Sequence, residues 1–143
     1  MFPVGACEAI LSDARSQSGE PLKILVADDE DVSRAVLVHM LEGFGHTVVD
    51  ARDGVEAVQK SLRELPDAIL MDIAMPIMDG CQAAETLLAN PRTASIPIIA
   101  CTGVPRPLSE WDHLFKAVVS KPFTADAVVG ELRRVVGPTQ TST

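Results

Sequence analysis

Aromatic residues are nearly missing from this sequence: there is no tyrosine, one tryptophan and four phenylalanines, 3% of the chain. Any core must therefore be aliphatic, filled by Ile, Leu, Val and Ala. Positive charge is also in short supply, with 12 basic residues against 20 acidic ones and a formal net charge of -8. A surface of that sign repels nucleic-acid phosphates and anionic membranes, which excludes direct nucleic-acid binding and membrane-surface attachment as leading functions. The plain reading of the charge is solubility. Cysteine is sparse and odd in number. Cys7, Cys81 and Cys101 show no metal-ligand spacing, so they read as reduced, mostly structural thiols. The N-terminal stretch lacks the basic residues and apolar run of a signal peptide, and nothing approaches the ~18 consecutive apolar residues of a membrane span. The expectation is a soluble, cytoplasmic protein. At 143 residues it suits one domain, and such a chain can bury roughly 68–70% of its unfolded surface.

Residues 1–20 read as an extension outside that domain. CEAILSDAR has helical spacing, with Ala9, Ile10 and Ala14 on one side, and SQSGEP reads as a linker. A docking or dimerisation arm and a frayed tail both remain open. From Pro21 the pattern becomes regular. LKILVA predicts a first strand ending at Asp28 and Asp29. DVSRAVLVHMLEGFG predicts a helix whose Val32, Ala35, Val36, Met40 and Leu41 share a face. HTVVD predicts a second strand, and GVEAVQKSLREL a second helix with Val55, Val58, Leu62 and Leu65 in register. AILMD is a third strand closed by Asp72, followed by the loop MPIMDG and the helix CQAAETLLAN, which Asn90-Pro91 breaks. PIIACT and AVVS are a fourth and a fifth strand, separated by an irregular stretch. FTADAVVGELRRVVG is a last helix, capped by Thr124, with Val128, Leu132, Val135 and Val136 along it. The domain is expected over residues 21–137, with a disordered tail at 138–143.

Strands alternating with helices at short spacing predict a doubly wound α/β fold, a parallel sheet covered on both faces. In such sheets ligands bind outside the carboxyl ends of the strands. The residues there are Asp28 and Asp29, then Asp72, Thr102 and Lys121. Singly, each has a bland reading: a helix cap, a turn carboxylate, a strand end, a turn. Together they place three carboxylates, a hydroxyl and an ammonium at one sheet edge. Two carboxylates about 4 Å apart repel by roughly 4 kcal/mol at an effective dielectric near 20. A cation or a raised pKa must relieve that. Mg²⁺ suits an all-oxygen site, and the lack of His or Cys argues against zinc. The same set suits phosphoryl transfer to a carboxylate. Asp72 is the best nucleophile, because the adjacent Asp28-Asp29 pair is the more natural metal holder.

The stretches ILVADDE, ILMDIAMPIMDG, IIACTG and SKPF then resemble the receiver domain of bacterial two-component response regulators. The resemblance implies a five-stranded parallel sheet in the order 2-1-3-4-5, the flavodoxin-like receiver fold. It implies that Asp72 is the phosphoacceptor, loaded by a histidine kinase or histidine phosphotransfer protein. It implies Mg²⁺ held by Asp29, Asp72 and the backbone carbonyl of Ala74, with Asp28 assisting through water. Thr102 and Lys121 would contact the phosphoryl group, and Lys121-Pro122 would be a cis peptide. Three departures stand out. Val118 occupies the position where the family carries a switch aromatic, with neither Phe115 nor Trp111 an obvious substitute. The spacing from Thr102 to Lys121 is a few residues short, with Pro105 and Pro107 in the gap. Gly103 replaces the usual Ala. PIIACTGVP also resembles an atypical receiver subgroup in which the switch aromatic is missing and the helix between the fourth and fifth strands is mobile.

The expected function is a single-domain response regulator, a monomer or weak dimer, that signals through a downstream protein target by reorganising residues 103–116. It is not expected to be an enzyme beyond assisting its own phosphorylation and dephosphorylation. One alternative is a receiver-like binding module that works unphosphorylated. Another is a haloacid-dehalogenase-like phosphatase, suggested by D-x-D-x-S at Asp29 to Ser33, but the acidic pair that superfamily needs after its lysine is lacking. A dinucleotide site is disfavoured, since no G-x-G-x-x-G follows the first strand.

Overall fold

Each central strand is apolar on both faces, so its side chains must be buried on two sides at once. A computed structural model of the chain describes residues 21–103 and 113–136 and shows how this is met. Five strands, β1 (Lys23–Ala27), β2 (Thr47–Ala51), β3 (Ala68–Asp72), β4 (Ile98–Thr102) and β5 (Ala117–Ser120), form one sheet in the order β2-β1-β3-β4-β5. Every pairing is parallel. The described helices are α1 (Asp31–Gly43), α2 (Gly54–Glu64), α3 (Gly80–Leu88) and α4 (Ala125–Val136). Fold class and strand order agree with the expectation.

The period of two along the strands divides the core. Leu25, Ile69, Met71 and Ala100 face a layer containing Ala57 of α2 and Ala83, Ala84 and Leu87 of α3. Ile24, Val26, Leu70 and Ile99 face Leu37 and Leu41 of α1 and Val128 and Leu132 of α4. Phe115, the largest fully buried side chain, fills a gap in the first layer, and Val118 packs against the same layer.

Helix starts follow their side chains. Asp79 and Gln82 form a capping box at α3, with Gln82 N–H donating to Asp79 at 2.8 Å and Asp79 N–H donating to Gln82 at 3.0 Å. Asp53 accepts from Glu56 N–H at 2.8 Å to open α2, and Thr124 accepts from Ala127 N–H at 3.1 Å to open α4, as expected of it. Lys121-Pro122 is cis, also as expected.

Two expectations need correction. The face of α1 that turns inward carries Leu37 and Leu41, whereas Val32 and Val36 stand 70% and 52% exposed. The apolar side of α1 is wider than one sheet contact can cover, and the sheet takes only the Leu37–Leu41 edge. On α2, Ala57 and Ser61 are the fully buried interior residues, while Val55, Val58 and Leu62 are half-buried. Leu65 lies past the helix in a left-handed cap (φ 48°) and is exposed. The expected N-terminal arm at 1–20, most of the stretch between β4 and β5 including Pro105, Pro107 and Trp111, and the tail at 138–143 lie outside the described residues. Among the described residues no helix is long and apolar enough to cross a membrane.

Candidate functional site

The carboxyl ends of β1, β3, β4 and β5 meet at one edge. Parallel register sets Asp72 beside Cys101, and Thr102 beside Ser120, one residue before Lys121. Asp28, Asp29 and Asp72 each bring a carboxylate oxygen to within 4.8 Å of the others, so a single cation could touch all three. Lys121 Nζ lies 3.1 Å from Asp28 Oδ2 and 3.5 Å from Asp72 Oδ2. Thr102 is buried at the end of β4. The five side chains singled out from the sequence are thus at one sheet edge, and Ala74 stands exposed two residues beyond Asp72.

Burial sets the electrostatics. Asp28 is 1% exposed and Asp72 7%, whereas Asp29 opens to solvent. Asp72 is pushed up to about 6: burial disfavours its charge most, the Lys121 ammonium works against that rise, and the neighbouring Asp28 carboxylate adds to it. Burial disfavours the Lys121 charge, but hydrogen bonding to Asp28 and the field of both carboxylates outweigh it and hold the ammonium above its ordinary value. Cys101, enclosed in the core beneath the edge, is pushed up to about 12 by burial and stays a thiol.

The loops are held by residues that sequence reasoning passed over. Asp28 is not a helix cap: α1 opens at Glu30 without a side-chain cap, and Asp28 Oδ1 accepts from Glu30 N–H at 2.9 Å. Arg34 reaches back from α1 to donate to the Asp28 carbonyl oxygen at 2.8 Å, and it also pairs with Asp31 and Asp50. Burial lowers the Arg34 affinity for its proton, but those two carboxylates raise it further. After β3 the chain turns within three residues. Met78 N–H donates to Pro76 O at 2.7 Å across Ile77, whose φ is 71°. That is a γ-turn of the rare positive-φ kind. Met78 O then accepts from Gly54 N–H at 3.0 Å, and Gly80 N–H donates to Ile73 O at 2.9 Å. A Cβ on Gly54 would strike the Met78 carbonyl, and one on Gly80 would strike the carbonyl of Asp72 itself. The only sequence signal for this clasp was the Met-Asp-Gly run ending the β3–α3 loop.

An acidic notch with an ammonium on its rim can bind a hard divalent cation and neutralise charge on incoming oxygens. The sequence model of the response regulator receiver domain matches residues 24–133. The chain is 40% identical to protein PilH of Pseudomonas aeruginosa over 80 residues, 56% of this chain and 66% of PilH. It thus spans just under two thirds of that relative, but it covers 97% of the chemotaxis protein CheY of Listeria monocytogenes, at 32% identity over 117 residues and 79% of this chain. Among solved structures it resembles the receiver domain of the Pseudomonas aeruginosa sensor histidine kinase PA1611, which holds a magnesium ion in its active-site cleft. The TM-score there is 0.76 and the identity 30%, covering 82% of this chain and 99% of that one. Matched over most of its length by that sequence model and over nearly all of CheY, with its acidic notch at the sheet edge, this chain belongs to the response regulator receiver domain family.

Proposed function

We propose that Asp72 accepts a phosphoryl group from a histidine kinase or histidine phosphotransfer protein, with Mg²⁺ beside it, and that residues 21–137 form the receiver unit. The observation that carries this is the convergence of the Asp28, Asp29 and Asp72 oxygens within 4.8 Å, with Lys121 Nζ 3.1 and 3.5 Å from two of them. Asp28, Asp29, Asp72 and the carbonyl of Ala74 would hold the ion, which supplies positive charge against the carboxylates and the transferred oxygens.

An Asp72 oxygen attacks phosphorus while the bond from phosphorus to the donor nitrogen breaks. The electron pair leaves with the imidazole, which takes up a proton, and an acyl phosphate remains on Asp72. Asp72 must be ionised to attack. With its pKa pushed up to about 6, most of it is ionised at pH 7. Lys121 draws away charge and stands within reach of an oxygen added to Asp72. Thr102 would donate its hydroxyl to another phosphoryl oxygen. The chain's own chemistry is then confined to its phosphorylation and dephosphorylation. The signal passes from a cytoplasmic monomer or weak dimer to a protein target, without direct contact to nucleic acid or membrane.

Incubation with acetyl phosphate tests this. The whole chain should gain one phosphoryl group by intact-mass measurement, only with Mg²⁺ present, and Asp72→Asn should gain none. Labelling of Asp72→Asn would move the acceptor elsewhere. An unlabelled wild-type chain would favour a module that works by contacts alone.

A further inference from the structure

The loop that offers Asp28 and Asp29 begins where the sheet ladder stops. The β1–β2 register ends with Ala27 opposite Ala51, and Asp28 N–H still donates to Ala51 O at 3.0 Å. The Asp28 carbonyl comes next, and it belongs to the peptide that links the two acidic residues. That peptide is planar, so its orientation constrains where both carboxylates depart from the chain. Arg34 Nη1 donates to this carbonyl at 2.8 Å.

The guanidinium is itself braced. Nη2 donates to Asp31 at 2.7 Å and Nε to Asp50 at 3.2 Å. Asp50 lies on the edge strand β2, and its carbonyl accepts from Lys60 Nζ of α2 at 2.6 Å. The Arg34 side chain is 12% exposed, although Asp31 and Asp50 are 82% and 52% exposed. Three nitrogens of one rigid plane thus serve three acceptors. A lysine ammonium, a compact point donor on a flexible stem, does not reproduce that. No side chain caps the start of α1, so this fork and the bond from Glu30 N–H to Asp28 Oδ1 fasten the loop.

We propose that Arg34 is a positioning residue for the cation: by holding the Asp28–Asp29 peptide it sets how tightly the notch binds Mg²⁺. This rests on the reading of the notch as a divalent-cation site. Groups that hold metal ligands in place govern affinity by about 10- to 100-fold. Charge alone argues for the opposite sign. A cationic side chain beside the notch repels an incoming cation, so its loss by itself would tighten binding.

Mg²⁺ titration of the full-length protein, followed through the backbone amide NMR signals of Asp29 and Ala74, separates the two. Arg34→Ala should weaken Mg²⁺ binding about tenfold, and Arg34→Lys, which keeps the charge, by a comparable factor. The Mg²⁺ needed for half-maximal labelling by acetyl phosphate should rise in step. The labelling rate at saturating Mg²⁺ should stay close to that of the wild type, because Asp72, Thr102 and Lys121 are untouched. Urea unfolding without Mg²⁺ reads any cost in stability separately. Affinity at or above that of the wild type in either variant would overturn the proposal and leave Arg34 a role in folding alone. If Arg34→Ala does not fold, Arg34→Lys decides. A wild-type chain that binds no Mg²⁺ would instead overturn the reading of the notch as a cation site, and this proposal with it.

Discussion

The two ends of the same sheet are built on opposite terms. At the amino end every polar group named has its complement: Lys23 N–H donates to Asp67 at 2.8 Å, Lys23 Nζ pairs with Glu64 at 3.0 Å, and His46 accepts from Leu22 N–H. At the carboxyl end three carboxylates converge and one ammonium pairs with two of them, Asp72 is held against its charge, and Ile77 sits in a left-handed backbone conformation. Strands that run parallel collect their starts at one edge and their finishes at the other, so stability and chemistry can be assigned to separate ends. Substitutions should therefore act in opposite directions at the two edges: removing a polar group costs stability at the amino end and restores it at the carboxyl end.

The largest effect belongs to Gly80, where the acidic edge leaves no room for a side chain. Its Cβ would meet the Asp72 carbonyl oxygen and the Ile73 Cα, both backbone, so no side chain can swing aside. Gly80→Ala should cost about 3 kcal/mol in urea unfolding, at the upper end for overpacking, and should weaken divalent-cation binding by displacing Asp72. A variant of unchanged stability would mean that the loop after β3 is not seated as described.

Asp72→Asn should go the other way. The folded pKa of Asp72, about 6, lies above its ordinary 3.8. Its contribution to stability is then fully present below pH 4 and is lost as pH rises through 6. At pH 8 without divalent cations the neutral Asn should stabilise the fold by up to about 3 kcal/mol, since the rise from 3.8 to about 6 corresponds to about 1.4 kcal/mol per pKa unit. The advantage should vanish at pH 4, and added Mg²⁺ should narrow it at pH 8 by stabilising the wild type alone. A gain independent of pH would show that relief of charge is not the cause.

His46 gives the matching test at the amino end. Burial lowers its pKa below 6.5, and its neutral Nδ1 accepts from Leu22 N–H. Stability from this bond is present above pH 6.5 and is lost as pH falls through the lower folded value, because a protonated ring would turn a donor toward that N–H. His46→Phe should cost about 1 kcal/mol at pH 7.5, the penalty of leaving the half-buried Leu22 N–H unpaired. The gap to wild type should close toward pH 5 in paired urea melts. A gap that widens there would reverse the assignment.

The sequence made the acidic edge far more legible than the faces. Strand termini are marked by apolar runs that stop abruptly, so Asp28, Asp72, Thr102 and Lys121 could be placed at one edge before any coordinates. The orientation of α1 was not legible. Its Val32–Val36–Met40 row and its Leu37–Leu41 row both have helical spacing, and only packing against Ile24, Val26 and α4 decides which is buried. The clasp from Gly54 to Met78 was nearly as hidden, being a backbone contact between loops with no more than the Met-Asp-Gly run to hint at it. Arg34 could have been suspected from its spacing with Asp31, but its bond to the Asp28 carbonyl depends on the turn after β1.

The smallest expected effect separates strain from charge at the notch. Ile77 is 81% exposed, so it contributes almost nothing to the core, yet it is a β-branched residue at φ 71°. A left-handed backbone costs an ordinary residue roughly 1–2 kcal/mol, and Asn tolerates it best among residues that carry a Cβ. Ile77→Asn should therefore stabilise the protein by about 0.5–1 kcal/mol, without the entropic penalty that Gly would bring. Because the substitution adds no charge, the gain should be the same at pH 4 and pH 8, unlike that of Asp72→Asn. If the two substitutions act independently, their gains should add at pH 8. A shortfall would mean that the turn at Ile77 tightens when Asp72 is charged, and that backbone strain and carboxylate repulsion at this edge are one coupled feature.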